Sequence, residues 1–130
     1  MSTLAVGTIK SISSAAPVFQ NTSGTEIGQL AKVWVIYRHT TDEVLRSFGV
    51  SSVSDNGTGR FVVNFSTAFA SSSYCVVIAD NAPVHAGTGH CHTSLYFGNR
   101  NAGNCDFGTF HDSNSVLRAE SDPVCCAFYF

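Results

Sequence analysis

His85, His90, Cys91 and His92 fall within Pro83-Val84-His85-Ala86-Gly87-Thr88-Gly89-His90-Cys91-His92, the densest group of metal-ligating side chains in the chain. Residues two apart on a strand face the same side, so His90 and His92 could offer two imidazole nitrogens to one ion. Three such pairs around a symmetry axis would supply enough nitrogens for an octahedral site. The pair is not repeated, and the plainer expectation is loop histidines with Cys91 buried between them. No cofactor is expected, and His90 and His92 stand as the candidate metal ligands.

Catalytic patterns are scarcer. The sequence has no G-x-S-x-G elbow, no H-E-x-x-H and no Gly-rich phosphate loop. Asp42, Glu43, Asp55, Asp80, Asp106, Asp112, Glu120 and Asp122 lie singly or as one adjacent pair, and spacing alone does not bring two of them to glycosidase distance. His111-Asp112 with Ser113 or Ser115 has the letters of a triad without its context. The expectation is a protein that is not an enzyme.

A third set suits binding. Tyr96, Asn99, Arg100, Asn101, Asn104, Phe107 and His111, with Phe110 and Asn114 nearby, mix flat apolar rings with planar hydrogen-bonding groups. Saccharide recognition uses that mixture, and loops on β-sandwiches commonly present it. The competing reading is turn chemistry, because Asn and Gly also make turns.

The elements that must carry these residues read as strands. Asp55-Asn56-Gly57-Thr58-Gly59 sits between two apolar-alternating runs, a strong hairpin signal. On the return run Phe61, Val63 and Phe65 share one face. The outgoing run is less regular, with Phe48, Val50 and Ser52 on one face and Val53 opposite. Ala31 to Tyr37 is apolar on both faces, as expected of a strand with a core inside and a subunit contact outside. Thr40 and Glu43 have capping-box spacing, yet loop then strand is the expectation there. Tyr74 to Ala79 reads as a buried strand, His92 to Phe97 as an alternating one, and Gly98 to Asn104 as a long polar turn. Val116 to Glu120 suits a short strand, and Val124 to Phe130 ends the chain in aromatics that must pair in a core or interface. Seven or eight short strands with turn signals between them imply a single antiparallel β-sandwich.

Length and composition narrow the function. The 130 residues suit one domain. Charged residues make up 12%, about half the usual ~25%. A net charge of −2 gives no basic footprint for nucleic acid. Met1-Ser2-Thr3 lacks a basic n-region, and no apolar run is long enough for a membrane span, so the expectation is synthesis in a cytoplasm with no signal peptide and no membrane insertion. Asn21, Asn56 and Asn64 then carry no meaning as glycosylation sites. The 5 cysteines lack C-x-x-C spacing and read as free thiols. Residues 1–30 hold scattered apolar positions, too few to bury alone, and suggest an arm that orders on a partner, the alternative being a first strand plus loops of the same domain; residues 31–130 would form the sandwich.

Several motifs recur in one order. Trp34 within Ala31-Lys32-Val33-Trp34-Val35, the run Arg46 to Val53, the Asp55–Gly59 turn, Val63-Asn64-Phe65-Ser66-Thr67-Ala68-Phe69 and Tyr74-Cys75-Val76-Val77 together resemble short tail-fibre and other virion proteins of tailed phages, notably marine phages and cyanophages. The likeness spans about residues 31–78; Leu4-Ala5-Val6-Gly7-Thr8-Ile9-Lys10 resembles the N-terminal segment of such proteins, and the last fifty residues match none of their motifs. The resemblance implies a virion protein, a jelly-roll-like sandwich assembled as a homotrimer, acting as a tail-fibre-like or receptor-binding component on a host surface glycan. A capsid decoration (cement) protein is the alternative, and a host-polysaccharide-cleaving enzyme a third. Some phage fibre tips hold iron with H-x-H pairs, although Thr88 stands here where those carry Gly. Leu4, Val6, Ile9 and Ile12 in the arm, with Trp34, Phe128 and Phe130, are the expected assembly contacts with other copies and with other virion proteins.

Overall fold

Glycine at position 49 divides what reads as one run into two strands of different sheets. Its φ is +69°, and a Cβ there would lie 2.8 Å from the Lys32 carbonyl oxygen, so only glycine turns the chain at this point. In the computed structural model, which describes Thr8 and residues 18–80, 84–85, 89–111 and 122–129, strands dominate. The chain divides into two compact units, Met1–Leu30 and Ala31–Phe130.

In the first unit β1 (Val18–Gln20) and β2 (Glu26–Gln29) form an antiparallel hairpin. Its loop is organised by Asn21, whose Oδ1 accepts from the backbone amides of Ser23 at 3.0 Å and Thr25 at 2.9 Å. This is the local side-chain turn that Asn favours.

The second unit contains β3 (Val33–Arg38), a 3-10 turn (His39–Thr41), β4 (Glu43–Phe48), β5 (Val50–Asp55), β6 (Arg60–Phe65), β7 (Cys75–Asp80), β8 (Val84–His85), β9 (Gly89–Asn101), β10 (Asn104–His111) and β11 (Val124–Tyr129). They make two antiparallel sheets, one in the order β5-β6-β10-β9-β8 and one in the order β4-β3-β11-β7. Period-two burial is clean in β3, β6 and β11, where every second side chain is buried. Phe61, Val63, Phe65, Cys105 and Phe107 from the five-stranded sheet meet Val33, Val35, Tyr37, Val124, Cys126 and Phe128 from the four-stranded sheet in one core. The arrangement is sandwich-like and all-β. Burial pushes the Cys105 thiol up to about 11 and raises Cys126 as well, in keeping with their place inside.

Several expectations are corrected. Phe48 belongs to β4, not to the outgoing hairpin strand, and is 56% exposed. The irregularity of β5 is a bulge at Ser51, whose partners shift between Val50↔Phe65 and Ser52↔Asn64; it brings Val50 and Val53 to the same side of the sheet, packed on the core. The run from Cys75 is an edge strand, with Val77 53% exposed, because only β11 flanks it. The polar segment 98–104 is no long turn: β9 continues to Asn101, and the turn proper is Ala102-Gly103. The extra residues are absorbed as an irregularity opposite Asp106, between Leu95↔Phe107 and Arg100↔Cys105. Val116 to Glu120 and Phe130 lie outside the described residues, as do Leu4, Val6, Ile9 and Ile12.

Phe107 is fully buried, stacked on Phe61 at 5.1 Å, whereas Phe110 on the same strand is half-buried on the opposite face. Phe107→Ala should therefore cost about 3–5 kcal/mol, the range of a large cavity in a core. Phe110→Ala should cost roughly 1 kcal/mol or less. Urea unfolding of the two variants checks the contrast, and equal losses would place both rings in the core.

Candidate binding faces

Alternation along β6 and β10 sends Arg60, Val62 and Asn64 outward, opposite the core residues, together with Asn104, Asp106 and Phe110. Register does the rest. Gly108 pairs with Arg60 and with Ser94, so the middle of this outer face has no side chain standing on β10. Arg60 crosses that gap. Its guanidinium donates to both carboxylate oxygens of Asp106, from Nε at 3.3 Å and from Nη2 at 2.7 Å, and lies 4.2 Å above the Tyr96 ring. The Tyr96 and Phe110 rings are nearly parallel, 12° apart, with centroids 6.2 Å apart. The result is a planar patch of guanidinium and two rings, held from below by a carboxylate that is only 8% exposed. Hydrogen bonding to Asp106 raises the Arg60 pKa, so the cation is fixed.

The same face continues as a row of hydroxyls and amides. Asn64 Nδ2 donates to Ser52 Oγ and Ser54 Oγ, each at 3.1 Å. Beyond them Asn101 Nδ2 donates to Asn104 Oδ1 at 3.0 Å across the β9–β10 turn. That turn is pinned to the body from within. The Tyr74 hydroxyl donates to the carbonyls of Asn101 and Asn104, while the Phe65 and Phe69 amides donate to those of Gly103 and Ala102. Burial raises the Tyr74 phenol well above its ordinary value, so it remains a donor.

Of the residues expected to bind, Tyr96, Asn101 and Asn104 thus come together with Arg60, Asp106 and Phe110. Phe107 does not, since it is a core residue. Arg100 is engaged structurally, donating to the Tyr74 carbonyl at 3.0 Å with its guanidinium 6.0 Å from the Tyr74 ring. Asn99 is exposed in the irregular part of β9. His111, His90 and His92 are strand residues paired with Cys91, Val84 and Phe110, and their side chains lie outside the described residues, as does Asn114. Among the described residues no group of three or more His, Cys, Asp or Glu is placed to hold a metal. No helix among them is long and apolar enough to cross a membrane. Arg60 and Asp106 were invisible to sequence reasoning because 46 residues separate them and only the β6–β10 register joins them.

The outer face of the four-stranded sheet differs in character. Trp34 pairs with Phe48 on one side and Ala127 on the other, and Ala127 pairs with Val77. These form an apolar row across all four strands. Phe128, one of the expected assembly contacts, is instead buried in the core at 0% exposure, because alternation turns it away from Ala127. Trp34 does lie on the outer face, half-buried.

Comparison with known proteins is silent: no protein family, curated protein or solved structure matches the chain.

Arg60→Ala leaves the largely buried Asp106 carboxylate without its guanidinium, and breaking such a pair by removing one partner is destabilising. Thermal unfolding at neutral pH should show a clear deficit, and a parent-like melting temperature would mean that the fork does not hold the fold.

Proposed function

We propose that this chain is a binding component of a tailed-phage virion, tail-fibre-like or receptor-binding, that reads a saccharide of the host surface through the outer face of its five-stranded sheet. The observation that carries the reading is the Arg60–Tyr96–Phe110 patch bordered by the Ser52, Ser54, Asn64, Asn101 and Asn104 side chains. A pyranose offers C–H faces to aromatic rings and hydroxyls to amides and guanidinium, and such contacts cost least when the protein groups are already fixed. Here they are fixed: the guanidinium by Asp106, the Asn101 amide by Asn104, and the turn that carries both by the Tyr74 hydroxyl on its carbonyls. In this reading the sandwich is jelly-roll-like and the assembly a homotrimer, residues 1–30 dock on the particle, and no reaction is catalysed.

The decisive experiment is binding of the full-length protein to immobilised bacterial surface oligosaccharides. Tyr96→Ala and Phe110→Ala should each weaken binding by about tenfold or more, the loss expected for an aromatic anchor. Ile27→Ala, at an exposed residue of the first unit, should leave it unchanged. Parent-like binding by both aromatic variants would overturn the assignment of this face, and absence of any saccharide binding would overturn the reading as a whole.

A further inference from the structure

The outer face of the four-stranded sheet is graded in side-chain size. In one row Phe48, Trp34, Ala127 and Val77 follow each other from β4 to β7; in the next, Arg46, Ile36, Cys125 and Ala79 do so. Bulky groups stand on β4 and β3 and small ones on β11 and β7. Phe48 is 56% and Val77 53% exposed, while Trp34, Ile36, Cys125 and Ala127 are half-buried. From this grading we infer that the face is a self-association surface, on which the bulky β4/β3 half of one copy packs against the small β11/β7 half of a second copy of the same chain.

Three features favour a second copy over other occupants. The first is shape. Packed sheets stand about 10 Å apart, and that spacing is kept across a whole face only where large side chains meet small ones. A two-fold axis parallel to the strands brings each bulky half over the other copy's small half. Engaged instead with two different copies, the same two halves would make a heterologous contact, which can close a ring. The second is exposure. Phe48 and Val77 are each more than half exposed, Cys75 and Ala79 are exposed beside them, and Trp34, Ile36, Cys125, Ala127 and Tyr129 between them are only half-buried, a contiguous apolar surface of the kind that marks an interaction site. The third is charge. Within the two rows only Arg46 is charged, and Arg38 at the end of the face is already paired with Asp122 at 3.0 Å and Glu43 at 3.3 Å. An anionic lipid surface or a nucleic acid would need a basic cluster in place of this neutral centre.

The inference goes beyond the saccharide reading, since the patch around Tyr96 lies on the other sheet and a monomer could still bind there. Sedimentation of the full-length protein over a micromolar concentration series provides the test, with Ala127→Phe and Val77→Arg as variants and far-UV circular dichroism to follow their strands. The parent should form a closed dimer or trimer, and both variants should associate at least tenfold more weakly with their strand signal intact. Ala127→Phe is the discriminating variant: it adds apolar surface, so a merely sticky patch would associate more strongly, whereas a small half made bulky can no longer receive its partner. A parent that stays monomeric throughout, variants that keep the parent's mass, or a monomer that floats with anionic vesicles would each overturn the inference.

Discussion

A line of aromatic rings crosses the interior and ties the two sheets together. Tyr37 packs on Phe61 at 5.2 Å, Phe61 on Phe107 at 5.1 Å, Phe107 on Phe128 at 6.1 Å, and Phe128 on Phe65 at 4.9 Å. Phe61, Phe107 and Phe65 come from the five-stranded sheet and Tyr37 and Phe128 from the four-stranded one, so neither sheet can slide or slip register without breaking contacts with the other. A one-residue slip in β6 would replace Phe61, Val63 and Phe65 in the core with Arg60, Val62 and Asn64. Everything on the outer faces inherits its position from that lock. Arg60 reaches Asp106 only because Phe61 is held opposite Phe107.

Polar groups inside the structure are few and, among the described residues, matched except for Nδ1 of the buried His39, which has no hydrogen-bond partner. Thr93 and Thr109 share a buried hydroxyl contact at 3.0 Å between β9 and β10. The Asp80 carboxylate accepts from the Thr93 amide and so connects the end of edge strand β7 to the other sheet. At the opposite side, Arg38 and Thr40 both donate to the Asp122 carboxylate, which anchors the turn after β3 to the entry of β11. With only 12% charged residues in the chain, ion pairs cannot stabilise it broadly. They act here as local clasps where strands begin and end.

Local pattern made the strands legible where the period was unbroken. The strands Val33–Arg38, Arg60–Phe65 and Val124–Tyr129 are legible in the chain, but the inward face is legible only in Arg60–Phe65: Val33 to Tyr37 is apolar on both faces, and Phe128 faces the core where an assembly contact is expected. Pattern failed where a residue was inserted or a face had to be chosen. The bulge at Ser51 breaks the period in β5, and the irregular stretch opposite Asp106 disguises the end of β9 as a turn. Phe107 reads as a binding candidate because Gly108 interrupts the apolar alternation beside it, although its parity is that of Cys105 and Thr109, which are also buried. The patch around Tyr96 was half legible, since Tyr96, Asn101 and Asn104 are neighbours in sequence. Its other half, Arg60 and Asp106, depends on long-range strand pairing that no local pattern encodes.

The two outer faces start from the same alternation and end with opposite chemistry, and the difference lies in which residues occupy the outward positions. On the five-stranded sheet these are Ser52, Ser54, Asn64, Arg60, Asp106 and Tyr96, groups that lose favourable hydration if covered by an apolar partner. On the four-stranded sheet they are Trp34, Ile36, Ala127 and Val77, groups that gain by being covered. A single sheet face cannot serve both a dry protein contact and a wet polar ligand without penalising one of them. The polar ligand and the self-contact proposed above would take opposite sides of one core, which removes that conflict, and the ring lock between the sheets keeps the two faces apart. Loading either face would then not need to disturb the other, because the connection between them is a packed interior and not a hinge.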